Sequence, residues 1–269
     1  MKVLCCFKIV PEFDMVLEDD WKIEDEGTID LSYVKPVWNC FDESALEIVL
    51  KLSDQSESFK SNVEINALTI GKKKHENFLK ILYAIGYKKA IRINQEDDCI
   101  FEPEIIAELI AQYNNKIQMH DVIVLGQQSS DGNNMKTPYI LAEIMGWTCV
   151  SQVTHIEIWE EKYLRVISQY DDKKYVQIIK PPCILIVGNT EKSYLRVPTL
   201  KEKIKFKNKE INTIQIDEIL ENKVDNNIEI VQFQNMNKSR KSIVLDGNSP
   251  EEKANKIFEL YLKERMGKD

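Results

Sequence analysis

Hydrophobic and polar positions alternate along the first half of the chain in two distinct rhythms. Residues 3–7 (VLCCF) are continuously apolar, as is 122–125 (VIVL), which suits strands covered on both faces of a parallel sheet. Residues 63–70 and 90–93 read as two further strands. Between them the apolar spacing changes to the helical period. Ala45, Ile48, Val49 and Leu52 recur at i, i+3, i+4 and i+7, with Asp42 placed as the N-cap. A helix over 73–85 should bury Phe78, Ile81, Leu82 and Ile85 before Gly86 stops it. A third helix, over 102–113, groups Ile105, Ile106, Leu109 and Ile110. Thr137-Pro138 opens a fourth, with Thr137 as cap and proline in the first turn. This strand–helix alternation over residues 1–146 predicts a doubly wound α/β sheet with right-handed crossovers, whose ligands sit beyond the carboxyl ends of the strands.

The second half has another rhythm. Residues 153–159, 163–169, 174–179 and 183–187 are four β-rich runs in succession, with turn residues between them. They predict antiparallel strands added to the same sheet or packed as a small second one. A lysine-rich stretch, 201–209, follows, then weak strand signals over 212–248. A last helix over 250–265, capped by Ser249, gathers Ala254, Ile257, Phe258, Tyr261 and Leu262 on one face. The division expected is a nucleotide-binding α/β domain at 1–190 and a C-terminal portion at 191–269. Eight acids lie between residues 12 and 26, flanking a surface hairpin at Gly27; a solvated acidic face is favoured there over a metal site.

Composition narrows the chemistry. The 269 residues carry 36 Lys+Arg against 44 Asp+Glu, a formal charge of −8, which argues against a nucleic-acid binder. No two of the nine glycines are separated by a single residue, so there is no G-x-G-x-x-G loop. Asn66 stands where a phosphate loop ending at Gly71-Lys72 would need glycine. Six cysteines form no C-x-x-C pair, and Cys5 and Cys6 should face opposite sides of their strand. Reduced thiols in a cytoplasmic protein are expected. No apolar run reaches the ~20 residues of a membrane helix, and no signal peptide is evident. His75, His120 and His155 leave little room for a His-based catalytic or metal site; His75 and His155 have no partner at ligand spacing and are assigned structural roles, and no nucleophile–base–acid set is found.

Two loops remain as candidates. Gly126 to Thr137 is a polar stretch between a buried strand and a helix start, where free backbone N–H groups and a positive dipole end favour an anion, most simply a phosphate. Residues 38–42, with Asn39, Cys40, Phe41 and Asp42, stand at the mouth of another helix and could face the same crevice. An ordinary capped surface loop is the competing reading of each.

These segments together resemble the β subunit of the electron transfer flavoproteins, to about residue 211. The opening strand followed by Lys8, Val10 and Pro11 is similar to that family's strand-Lys-x-Val-Pro start. Asn39-x-Phe41-Asp42-Glu43-x-Ala45-Leu46-Glu47 resembles its N-P-F-D-E-x-A-L-E segment. Gly126-x-Gln128-x-x-Asp131 with Thr137 resembles its G-K-Q-x-x-D loop, and Gly146-Trp147 its G-W. Pro198-Thr199-Leu200-Lys201 and the last helix are like the nitrogen-fixation and carnitine-linked branch. The chain departs from the family in having Cys40 for proline, Gln127 for lysine, and its own 132–138 sequence.

The resemblance implies an adenine-nucleotide-hydrolase-like α/β fold with a C-terminal arm wrapping an α subunit, in a heterodimer. It implies an FAD shared with that subunit, and AMP or a second FAD in this chain. Electrons would pass between an acyl-CoA or related dehydrogenase and an acceptor, with no acid–base catalysis by this subunit. Carried over by position, the cofactor site would be Cys6, Phe13, Asn39, Cys40, Phe41, Asp42, Ile70, Gly126, Gln127, Gln128, Ser129, Ser130, Asp131, Gly132, Asn133, Asn134, Met135, Lys136 and Thr137. Phe13 and Phe41 would lie near the flavin ring edge, and Leu200 would dock the dehydrogenase. No metal site is implied. A stand-alone adenine-nucleotide-binding protein of the same fold, without redox role, is the alternative.

Overall fold

The computed structural model describes residues 1–17, 21, 30–58, 62–95, 102–160, 162–190, 194–220 and 242–266. The expected hairpin at Gly27, Cys99 and most of the weak strand signals after 220 lie outside them. The chain divides into two compact units, Met1–Val231 and Gln232–Asp269. The first unit thus continues past residue 190.

Seven parallel strands make the first unit's frame: β1 (Lys2–Cys6), β4 (Glu64–Gly71), β5 (Lys89–Asn94), β6 (Val122–Gly126), β7 (Thr148–Trp159), β10 (Cys183–Val187) and β11 (Asn212–Gln215). β8 (Tyr163–Tyr170) and β9 (Lys173–Ile179) extend it antiparallel from β7. The order across the sheet is β11-β5-β4-β1-β6-β10-β7-β8-β9. A small antiparallel ribbon pairs β2 (Ile9–Pro11) with β3 (Pro36–Trp38). The doubly wound α/β architecture is therefore present, with one correction. Residues 183–187 are not an antiparallel addition: β10 lies parallel between β6 and β7. Its sequence, CILIV, is buried throughout, which is the mark of a two-sided core strand.

The faces of the sheet follow from alternation along β1. Val3 and Cys5 join one core with Leu46, Val49 and Leu52 of α1 (Cys40–Ser58) and Leu79 and Leu82 of α2 (Glu76–Ala84). Leu4 and Cys6 join the other, with Leu109 and Ile110 of α3 (Pro103–Gln112) and Leu141 of α4 (Thr137–Met145). Cys5 and Cys6 thus do face opposite sides, and the five described cysteines are free. The face of α2 differs from the expected one: Leu79 and Leu82 are fully buried, whereas Phe78, Ile81 and Ile85 are half-buried at its margins. Residues 73–75 form a separate 3-10 turn ahead of it.

After β10 the chain is fastened to α1. Arg196 donates from its side chain to Glu47 at 2.9 Å and to Asp54 at 2.8 Å. It then enters α5 (Leu200–Phe206), which opens with a capping box between Thr199 and Glu202, and ends with β11 and α6 (Ile216–Ile219). In the second unit, α7 (Pro250–Ile257) carries proline in its first turn and starts where the Ser249 hydroxyl accepts from the Glu252 N–H at 3.2 Å, as the sequence predicts. A π turn, Phe258–Leu262, leads to α8 (Lys263–Met266). No helix among the described residues is long and apolar enough to cross a membrane.

Candidate functional site

The strand order changes direction between β1, whose helical crossovers lead to β4 and β5, and β6, which leads to β10 and β7. Such a switch point leaves a crevice at the strand ends. A cavity of about 410 Å³ lies there, at the carboxyl ends of β1, β4 and β6. Leu68, Ile70, Ile106, Ile110 and Leu125 supply apolar walls, and the loop after β6 supplies a polar one. The volume falls within the range of small-molecule sites, about 300–1,000 Å³.

Asp42 is the anchor of this site rather than the helix cap expected of it. α1 already begins at Cys40, so Asp42 lies inside the first turn and its carboxylate turns inward. Oδ1 accepts the Gly126 N–H at 2.9 Å; Oδ2 accepts the Lys8 N–H at 2.9 Å and Asn39 Nδ2 at 3.0 Å. Burial pushes its pKa up to about 6, against the opposing pull of these donors and of the Lys8 charge. Asn39, buried just ahead of α1, completes the clamp. Its amide donates to the Gln128 carbonyl at 2.7 Å and accepts the Ser130 N–H at 3.2 Å. Asp131 is held by a 2.7 Å ion pair with Lys8 and accepts the Gly132 N–H at 2.8 Å.

Gly126 is required by this packing. A Cβ there would lie 2.3 Å from Asp42 Oδ1, 2.7 Å from Phe41 Cβ and 2.8 Å from the Asp42 nitrogen. Gln127, where the resemblance has lysine, is fixed by its N–H to Val187 and by Gln152 Nε2 at 2.5 Å. Thr137 does not cap α4. It is the first helical residue, and Lys136 occupies the cap position, its own side chain making no cap bond and its N–H given to Asn134 Oδ1 at 3.0 Å. Pro138 does sit in the first turn. Proline has no N–H, and the Tyr139 and Ile140 N–H groups are given to the Lys136 carbonyl, so the Thr137 N–H is the donor this helix start offers an anion.

Eleven of the positions singled out from sequence line the cavity: Cys6, Phe13, Asp42, Ile70, Gly126, Gln127, Gln128, Ser129, Asp131, Asn134 and Thr137. Asn39 and Phe41 stand behind the wall and shape it. Cys40, Ser130, Gly132, Asn133, Met135 and Lys136 are not on its lining, and Leu200 is elsewhere, 74 % exposed on α5. Besides Lys8 and Ser32, four lining polar residues escaped the sequence reading: Lys72, Lys74, His75 and Gln95. The signal available was their position directly after the strands that end in Gly71 and Asn94. His75, assigned to a helix, stands in the 3-10 turn at the rim, its ring 6.4 Å from that of Phe78. His120 is buried against Asn66 and Asn114 at the opposite end of the strands.

Gln128 Oε1 is buried and has no hydrogen-bond partner among the described residues. A buried unmet acceptor on a cavity wall is matched by a donor-bearing ligand. No group of three or more metal-binding side chains converges among the described residues.

A profile of the Electron transfer flavoprotein domain matches residues 28–219. The protein named "Putative electron transfer flavoprotein subunit YgcR" in Escherichia coli (strain K12) is 25 % identical over 270 residues, 99 % of each chain. The electron transfer flavoprotein subunit beta of Bacillus subtilis (strain 168) is 26 % identical, covering 77 % of this chain and 75 % of its own. Its counterpart in Megasphaera elsdenii is 24 % identical, covering 78 % and 77 %. The family match takes in Asn39, Asp42, the loop after β6 and every strand of the main sheet except β1, and the chain therefore belongs to the electron transfer flavoprotein family, among its β subunits.

Proposed function

We propose that this chain binds an adenine nucleotide in the β1–β4–β6 crevice and forms a heterodimer with an electron transfer flavoprotein α subunit. The pair carries electrons, through an FAD shared between them, from a dehydrogenase to an acceptor. The observation that carries the reading is the cavity at the switch point, lined by the segments that resemble the family's nucleotide site. Ile70, Ile106, Ile110 and Leu125 offer a slot for the adenine ring, and the loop 126–137 with the α4 start would hold phosphate. AMP or a second FAD is the occupant. The flavin supplies the redox chemistry when bound; the residues of this chain bind, orient and exclude water.

The α subunit is assigned to β9, an edge strand with Tyr175, Val176 and Ile178 exposed, and to the C-terminal arm, where Phe258, Leu260 and Leu262 are exposed. The dehydrogenase is assigned to the segment fastened by Arg196, on which Tyr194, Val197, Leu200 and Ile204 stand exposed. An acyl-CoA or related dehydrogenase is the expected donor. The free thiols support a reducing compartment, the cytoplasm.

The test is co-purification of the full chain with a coexpressed flavoprotein α subunit, followed by chromatography of the heat-released nucleotide. A yellow complex holding about one further adenine nucleotide per β chain is expected. Asp131→Ala with Thr137→Val should lower that stoichiometry. A colourless, monomeric, nucleotide-free preparation would overturn the reading, and an unchanged stoichiometry in the double variant would overturn the loop assignment.

A further inference from the structure

The chain is acidic overall, yet two segments far apart in sequence concentrate its lysines. Residues 72–80 hold Lys72, Lys73, Lys74 and Lys80 against Glu76. Residues 201–210 hold Lys201, Lys203, Lys205, Lys207 and Lys209 against Glu202 and Glu210. Nine lysines thus face three glutamates, in a chain of formal charge −8.

The fold brings the two segments together. Tyr83 of α2 stacks on Phe206 of α5, with ring centroids 6.0 Å apart and planes 16° from parallel. Lys209 Nζ lies 5.3 Å from the Tyr83 ring centre and Lys205 Nζ 5.3 Å from that of Phe206. Beside this stack, Lys73, Lys80, Lys207 and Lys209 line one open crevice with Glu76 and Glu210. Glu76 is partly committed inward, its Oε1 bonded to the buried Arg92 guanidinium at 3.2 Å. The turn at 72–74 is shared: Lys73 lines the crevice, while Lys72 and Lys74 line the nucleotide cavity.

We infer that α2, α5 and the turn at 72–74 form one cationic docking face for an acidic protein partner, running from the cavity rim to Leu200. A protein surface is the fitting partner because the lysines border exposed apolar side chains, Leu200 and Ile204, and an apolar anchor ringed by charge is how protein interfaces combine grip with steering. A polyanion as extended as nucleic acid would meet the acidic remainder of the chain. The inference rests on the reading of α5 as a partner surface, and adds α2 and the cavity rim to it.

The test measures binding of a fluorescent oligo-glutamate peptide to the full chain by anisotropy, at low and high salt, with an oligothymidylate of equal charge as the second probe. Two double variants each remove two charges: Lys73→Gln with Lys80→Gln on α2, and Lys201→Gln with Lys207→Gln on the α5 side. Lys162→Gln with Lys180→Gln, on the β8–β9 side, is the equal-charge control. Each face variant should weaken peptide binding roughly five- to tenfold at low salt, the two together multiplicatively, and the loss should fade as salt shortens the screening length. The control should stay within twofold. The single face is overturned if the α2 pair stays within twofold while the α5 pair weakens binding, or if the control falls as far. The protein assignment is overturned if oligothymidylate binds more tightly than the peptide. Nucleotide content of the same preparations is read separately: its absence from all of them, with the peptide results intact, would sink the cavity reading alone.

Discussion

Gly126→Ala is the substitution to which the site should be most sensitive. The added methyl would sit 2.3 Å from Asp42 Oδ1 and 2.8 Å from the Asp42 nitrogen. The carboxylate could rotate away, but only by abandoning the Gly126 and Lys8 N–H groups, and the α1 backbone cannot yield independently. Overpacking of this kind costs about 1–3 kcal/mol. Losing a hydrogen bond to a charged acceptor costs about 1.5–3 kcal/mol more. A total of roughly 3–5 kcal/mol is a large part of the ~5–15 kcal/mol that stabilises an ordinary domain. In urea, with a slope of about 2 kcal/mol per molar, the midpoint should fall by roughly 2 M, together with loss of bound nucleotide. Gly71→Ala is the internal control. It also lines the cavity, but its added Cβ would meet only His75 Nδ1, at an ordinary 3.6 Å. Its stability should stay within about 0.5 kcal/mol of the parent. Equal midpoints for the Gly126→Ala variant and the parent would refute the reasoning, as would an equal fall in both variants.

Three further outcomes follow from titrating or bonded side chains. The Asp42 carboxyl is raised from 3.8 to about 6, so it favours the fold below about pH 4 and that contribution, roughly 3 kcal/mol, is lost as pH rises through 6. Burial lowers His120 from 6.5 to about 4, so its contribution, also roughly 3 kcal/mol, is present above about pH 6.5 and lost as pH falls toward 4. The two slopes oppose each other: His120→Gln should reveal stability falling from pH 4 to 6 and Asp42→Asn the reverse, in denaturant titrations at each pH, and flat profiles in both would contradict the assignment. Arg92, 3 % exposed, donates to the Gly71 carbonyl, Glu76, Asn94 and Thr213. Arg92→Met should cost about 2–4 kcal/mol by leaving those acceptors unmet, and amide exchange of β11 should rise well above that of β10. Arg196→Ala should leave the sheet intact but expose residues 194–199 to protease, since Glu47 and Asp54 would lose the guanidinium that fastens the segment; an unchanged cleavage rate would count against that anchoring.

The elements of the first half were legible because each follows a rule of period. VLCCF and VIVL are apolar on both faces, and Ala45, Ile48, Val49 and Leu52 keep the helical spacing. What could not be read was direction and depth. CILIV at 183–187 has the same two-sided apolar character as β1 and β6, but its place after three strands with exposed faces suggested another antiparallel neighbour. Only the long-range pairing with Val122 to Gly126 decides otherwise. Asp42 looked like a cap because its type and position suit one. Its three donors come from Lys8, Asn39 and Gly126, and two of these are distant in sequence. Likewise Lys72 and Lys74 carry no local sign of lining a cavity. The loop at 126–137 was found because its polarity contrasts with the strand before it, which is a local property.

The first turns of α1 have two attachments, and their order along the helix matters. Asn39 and Asp42, at its start, grip the loop after β6 through Gly126, Gln128 and Ser130. One turn further, Glu43 accepts the Leu195 N–H at 3.3 Å, and Glu47 accepts both the N–H and the guanidinium of Arg196. The segment leading to Leu200 is therefore braced on the same helix as the cavity wall, within about two turns of it. Asn39, Asp42 and Glu47 are buried at these attachments, and Glu43 is half-buried. The loop after β6 and the segment leading to Leu200 thus share one helix as their support.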